Sequence, residues 1–293
     1  MNPEQPKFYT RKLIGIIVFA VVMLLIGRNL NFLPKFNFSN VKTAEQTDLK
    51  IKVQKIIPNQ KGFYSVYFVD LKSGSHFAIN EKQIETAASV NKIPLIAALY
   101  YLANENKLSL DDRVTIQTSD IQDYGTGSLR YEQPGGSYTL RNLARLSLQQ
   151  SDNTAAHVIG VTVGMDKIQQ LVNSWGMTQT DMLNDKSTVY DMSLLITKIY
   201  KGDITNPAAT KELLSFLTNS DFEDRLPKNL PKSATVYHKT GDGLGIIHDV
   251  GLIEMGENVY YLGIMTSDVG DNEKTTKETI AQISKAVFDF ETN

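Results

Sequence analysis

Cysteine does not occur in the 293 residues, which excludes a disulfide framework and a thiol nucleophile. There is no Gly-x-Ser-x-Gly elbow, so the sequence pattern of lipase-type hydrolases is missing. No internal repeat is found, and no metal-ligand spacing surrounds His238 or His248; neither a metal nor another cofactor is implied. Residues 1–35 hold five of the 30 basic and one of the 32 acidic side chains, so the remainder carries 25 basic against 31 acidic groups, a net −6. With no basic patch and no aromatic stacking platform, nucleic acid is not an expected partner. What remains, 42% hydrophobic and 21% charged, is ordinary globular composition for one large domain or two intimate ones.

The longest apolar run, residues 13–27, follows Lys7, Arg11 and Lys12. Basic residues ahead of it place the N-terminus in the cytoplasm and the rest outside. Fifteen residues rise only about 22 Å, short of a ~30 Å bilayer core, which keeps a cleaved signal peptide and secretion as the alternative. No small-x-small site follows, while Arg28 can snorkel and Leu30, Phe32 and Leu33 extend the apolar length. The expectation is therefore a cytoplasmic stretch 1–12, a transmembrane anchor 13–33, a polar spacer 34–47 and an extracellular domain 48–293.

Within that domain, residues 62–71 are rich in aromatic and β-branched side chains and, with the turn Lys72-Ser-Gly-Ser75 and residues 75–80, predict a hairpin. Residues 104–154 are helical and loop-rich, with 106–115 and 139–148 as distinct pieces; Tyr124-Gly-Thr-Gly127 reads as loop, not as a phosphate cradle. Three strands follow at 234–240, 247–255 and 259–267, with turns at 241–243 and 256–258, and a helix closes the chain at 273–290. Strands at both ends imply one α+β sheet built from both terminal segments, with a helical subdomain, about 88–205, inserted between them.

Three short motifs carry the chemistry. Ser89-Val-Asn-Lys92 puts a hydroxyl and an amine three residues apart on one helical face. Alone it is weak, since Ser39-Asn-Val-Lys42 repeats the pattern in the spacer and Ser89 by itself reads as a helix cap before it reads as a nucleophile. Ser151-Asp152-Asn153 and Lys239-Thr240-Gly241 follow in order, and that set is improbable by chance. A serine needs a base, and Lys92 serves if burial and the charge of Lys239 keep its amine partly neutral. Pro94 conflicts with a helix that begins much before Ser89.

With these motifs the chain, from about Asp48 to its end, resembles the β-lactamase and penicillin-binding-protein superfamily of serine hydrolases, in its class A branch. The resemblance implies a five-stranded antiparallel sheet covered by helices, an α/β sandwich with an inserted all-α subdomain and the cleft between them. It implies Ser89 as nucleophile, Lys92 as base, and the backbone N–H groups of Ser89 and Asp242 as oxyanion donors. Ser151 would relay a proton to the leaving nitrogen and Asn153 hold the substrate amide, with Asp152 structural. Lys239 and Thr240 would bind the substrate carboxylate, Gly241 let its backbone approach, and Arg225 stand where some relatives place a second carboxylate-binding arginine. A solvated surface arginine is an equal reading of Arg225.

One feature of class A enzymes is missing: no glutamate occurs between Gln133 and Lys211, and Thr180-Asp-Met-Leu-Asn184 has threonine where the water-activating glutamate belongs. Asp181 or Asp185 would have to replace it from a short loop. The expectation is a membrane-anchored acyl-enzyme former whose partner is a D-Ala-terminated peptidoglycan stem peptide, and which a β-lactam acylates but leaves slowly. A true class A β-lactamase, and a wall-binding or sensory module with weak turnover, are the alternatives.

Overall fold

The computed structural model describes residues 43–58 and 62–292, and these form one compact unit. The anchor expected at 13–33 lies outside the described residues. Helix α1, Thr43–Ile56, is already formed five residues ahead of the expected domain start at Asp48, and it buries Leu49 and Val53.

The expected sheet is present. Strands β1 (Phe63–Asp70), β2 (His76–Ile79), β7 (Thr235–Gly243), β8 (Ile246–Met255) and β9 (Asn258–Ser267) pair antiparallel in the order β2-β1-β9-β8-β7. Strand alternation sends neighbours to opposite faces. Leu252, Tyr261 and Met265 join the core shared with the helical part, while Ile253, Tyr260, Leu262 and Ile264 pack with α1 and the closing helix α8, Glu273–Thr292. On α8 the buried Ile280, Ile283 and Val287 form one stripe.

The turn expected at 241–243 is displaced. Strand β7 continues through Gly241, Asp242 and Gly243, the last opposite Ile246, and the chain reverses at Leu244 and Gly245, whose φ of +69° suits glycine. Three more residues of edge strand, 241–243, are thereby added beside the cleft.

Between the sheet halves lie two short ladders, β3 (Glu85–Thr86) with β6 (Lys186–Ser187) and β4 (Arg113–Thr115) with β5 (Ser137–Thr139). The piece at 106–115 is a loop ending in β4, not a helix. The helices of this part are α2 (Lys92–Asn104), α3 (Leu140–Gln149), α4 (Asn153–Val163), α5 (Met165–Ser174), α6 (Val189–Lys201) and α7 (Pro207–Ser215). Almost every side chain of α2 is buried, so it is the axis on which the others pack.

Candidate active site

The nucleophile turn is built before α2 begins. Ala87-Ala-Ser89 leads into a 3₁₀ turn, Ala88–Asn91, and the α-helix starts at Lys92, which leaves Pro94 in its first turn, where a missing N–H costs nothing. Ala88 sits at φ +49°, a conformation costing an alanine about 1–3 kcal/mol. Asp185 holds it there: its backbone oxygen accepts from Ala87 N–H at 2.8 Å, and its carboxylate from Ala88 N–H at 3.1 Å and Asn91 Nδ2 at 2.8 Å. Burial pushes the Asp185 carboxyl pKa up.

Lys92, 7% exposed, donates from Nζ to Ser151 O at 2.5 Å, Ser151 Oγ at 3.1 Å and Asn153 Oδ1 at 2.7 Å. Its amine is thus turned toward Ser151 and Asn153, and no hydrogen bond joins it to Ser89 Oγ. Burial lowers its pKa to about 7, against the opposing pull of Asp152 and Asp185. Lys239, fully enclosed, donates to the same Ser151 hydroxyl at 3.0 Å and to Thr240 O at 3.0 Å. Burial, and then the charge of Lys92, push its pKa well down. Ser151 Oγ is therefore the shared point between the two amines.

The second motif caps α4: Asp152 accepts from Ala155 N–H at 2.9 Å and from Leu129 N–H at 2.8 Å, a structural role. The loop Tyr124-Gly-Thr-Gly127 lies directly on it. A Cβ on Gly125 would fall 2.3 Å from Asn153 Nδ2, and one on Gly127 2.2 Å from Asp152 Oδ2. The glycines that signalled only a loop in sequence are there to let backbone cover the motif, and Tyr124 O accepts from Asn153 Nδ2 at 3.1 Å.

On the opposite wall, β7 is the sheet edge. His238 N–H points away from β8, donating to Leu217 O at 2.7 Å, so by strand alternation the N–H groups of Thr240 and Asp242 face the same open side. That is the direction an oxyanion donor at Asp242 requires. Gly241 has a role of its own in the packing: a Cβ there would meet Ala87 O at 3.0 Å and Val90 Cγ1 at 3.3 Å, so its bareness seats the nucleophile turn against the strand.

Ser89, Lys92, Ser151, Asn153, Thr240 and Asp242 line one cavity of about 600 Å³, with Phe222 and Leu244, unforeseen in sequence, on its rim. Arg225 is neither in that wall nor on the surface. It is fully buried, donating from Nη1 to His248 O at 2.7 Å and from Nη2 to both carboxylate oxygens of Asp242 at 2.7 and 2.8 Å, with Nε 3.2 Å from Asp224 in an ion pair that is not aligned as a hydrogen bond. It acts on the cavity through Asp242. Arg225→Ala is expected to destabilise by about 2 kcal/mol and to lower the melting temperature by roughly 5 °C, since it empties a buried site and leaves His248 O without its donor while the half-exposed Asp242 and Asp224 regain water, with Arg225→Lys intermediate. A melting curve superposing on the parent's would contradict this.

The two strand histidines are structural. His238 lies between Asp249 Oδ1, 2.8 Å, and Glu223 Oε1, 3.4 Å; burial alone would lower its pKa, but the carboxylates carry it up to about 9. His248 accepts from Thr266 N–H on Nδ1, so Nε2 carries the hydrogen donated to Thr86 O at 2.8 Å; burial takes its pKa to about 4. Among the described residues no group of three or more His, Asp or Glu side chains is placed to hold a metal.

Residues 48–290 match the family model of the beta-lactamase enzyme family. A beta-lactamase of Bacteroides uniformis is 25% identical over 85% of this chain and 93% of its own, and beta-lactamase VEB-1 of Pseudomonas aeruginosa 21% over 92% and 100%. Among solved structures, PBP-A superposes with a TM-score of 0.77 at 28% identity, covering 83% of this chain and 95% of its own. A leucine-to-glutamate mutant of PBP-A, in an acyl-enzyme complex with penicillin G, matches equally at 0.77 and 28%, over 83% and 96%. The extended-spectrum beta-lactamase TLA-1, at 20% identity, shares the fold with a TM-score of 0.79 over 85% and 99%.

Proposed function

The chain belongs to the beta-lactamase enzyme family and is a serine hydrolase of that kind, and from this premise we propose that it acts on D-Ala-terminated peptidoglycan peptides and retains β-lactams as slowly released acyl-enzymes. Ser89 attacks the carbonyl, Lys92 takes its proton, and the N–H groups of Ser89 and Asp242 receive the oxyanion. Ser151, touched by both lysines, passes a proton to the leaving nitrogen, and Lys239 with Thr240 attracts the substrate carboxylate.

The observation that carries this reading is that the cavity offers no uncommitted carboxylate to activate water. Thr180, standing where class A enzymes have glutamate, is buried and bonded to Ser187 at 2.8 Å and Asp191 at 2.9 Å. Asp181 folds back on its own loop, accepting from Leu183 N–H and Asn184 N–H at 3.0 Å each. Of the two carboxylates on the wall, Asp242 is held by Arg225 and Asp185 by the Ala88 turn. The 28% identity to PBP-A, one mutant of which forms an acyl-enzyme complex with penicillin G, supports the same reading.

The second reading, a β-lactamase proper, is favoured by Asp185 being the one acid beside both Lys92 and the cavity. Incubation of the chain with an N-acylated peptide ending in D-Ala-D-Ala, and separately with a chromogenic cephalosporin, separates the two. Release of D-alanine with little colour is expected; rapid colour without D-alanine would establish the second reading.

The same reading has the enzyme outside the cell membrane, held by the anchor expected at 13–33. Alkaline carbonate washing is expected to leave it in the membrane; release of a protein beginning beyond Gly27 would mean secretion after cleavage.

A further inference from the structure

The residue that offers its N–H to the oxyanion also carries a carboxylate. Asp242 stands on the wall of the reacting cavity with its side chain 43% exposed, and both carboxylate oxygens accept from Arg225 Nη2, at 2.7 and 2.8 Å. The arginine behind it is closed off from solvent. Its Nη1 donates to His248 O at 2.7 Å, and His248 pairs with Gly241, the residue before Asp242 on β7. Asp224 lies 3.2 Å from Nε but also 2.9 Å from Lys277 Nζ on α8, so it serves two cations. Asp242 is thus the acid that Arg225 grips by hydrogen bonds.

A lone carboxylate at this place would work against the reaction. Its oxygens hang from the same Cα as the donor nitrogen, within roughly 5–7 Å of the point where negative charge collects. Like charges at that range raise a barrier unless a cation neutralises one of them. Resting on the acyl-enzyme reading above, we propose that Arg225 is a positioning residue of the oxyanion site: it cancels the charge of the Asp242 carboxylate, so that the N–H of the same residue can receive the oxyanion.

Arg225 does not line the cavity, so its charge acts there through its partner. The field of the pair reaches the reacting groups. At Lys239, where burial and then Lys92 dominate, Asp242 raises the pKa and Arg225 lowers it, so the two act in opposite senses. An arginine that only braced the strand would leave the charge on Asp242 irrelevant to the rate of acylation. One that cancels that charge makes the rate depend on both residues together.

The test follows penicillin labelling of the full chain by whole-protein mass spectrometry, in the parent, in Arg225→Ala and in the double variant Arg225→Ala with Asp242→Asn. The first-order labelling constant at saturating penicillin is read, so molecules that fail to fold lower the amplitude and leave the constant alone. Arg225→Ala is expected to lower that constant on the order of tenfold, because a carboxylate screened only by water then faces the oxyanion. The double variant, which has lost the negative charge as well, is expected to regain most of that loss. Salt gives a second readout: raising the ionic strength from about 0.01 M to about 1 M is expected to speed Arg225→Ala and to leave the double variant unmoved. A double variant as slow as Arg225→Ala, a loss confined to the saturation constant, or an Arg225→Ala rate equal to the parent's would overturn the proposal. Rapid release of the adduct with the rescue intact would overturn the slow-release reading instead and leave the role of Arg225 standing.

Discussion

Ser89→Ala is expected to abolish covalent labelling by penicillin completely, the whole-protein mass after exposure staying that of the free chain. The substitution removes one oxygen from a partly exposed position that makes no side-chain hydrogen bond, so folding is expected to be unaffected. Lys92, Ser151 and Lys239 keep their mutual contacts, which run through Ser151 and not through Ser89. Noncovalent affinity is therefore expected to survive while the adduct does not. A module that only binds the wall would keep its cellular phenotype with alanine at this position, whereas an enzyme would lose it. Labelling that persisted would mean that another residue is the nucleophile.

Lys92→Met is expected to lower the acylation rate by about 10²–10⁴-fold, the range for removal of a positioned general base. Lys92→Arg is expected to fare no better, because a guanidinium stays charged and cannot accept the serine proton. The geometry explains why protonation state matters. Nζ touches three acceptors, Ser151 O, Ser151 Oγ and Asn153 Oδ1, which matches an ammonium with three hydrogens. A neutral amine has two hydrogens and a lone pair, so loss of the proton frees one contact and supplies the acceptor that Ser89 needs. With a pKa of about 7, the acylation rate is expected to rise with pH through that value and level off above it. A rate already at its plateau at pH 5 would contradict Lys92 as the base.

Much of this site was legible in the sequence, because the three motifs are contiguous strings whose members act together. Ser89, Lys92, Ser151, Asn153, Thr240 and Asp242 line one cavity, with Lys239 enclosed behind Ser151. The sheet was legible through alternation, which depends only on neighbours along the chain. The misplaced turn has a local cause: Gly241-Asp-Gly243 carries the composition of a hairpin loop, and only pairing with Ile246, Ile247 and His248 keeps it extended. Arg225 was undecidable for a non-local reason, since an arginine is buried only where a partner is supplied, here Asp242, 17 positions on. Asp185 is visible in the sequence as a candidate base, yet its clamp on Ala87 and Ala88 spans almost a hundred residues, and nothing in the sequence ties the two segments.

The most direct measurement is the lifetime of the adduct on Ser89 after excess penicillin is removed, followed by whole-protein mass spectrometry. With every nearby carboxylate engaged, the adduct is expected to persist for many minutes and to decay slowly to free enzyme. Return of the free mass within the mixing time, with many equivalents of penicilloic acid formed, would show that a group in this cavity does activate water and would contradict the account.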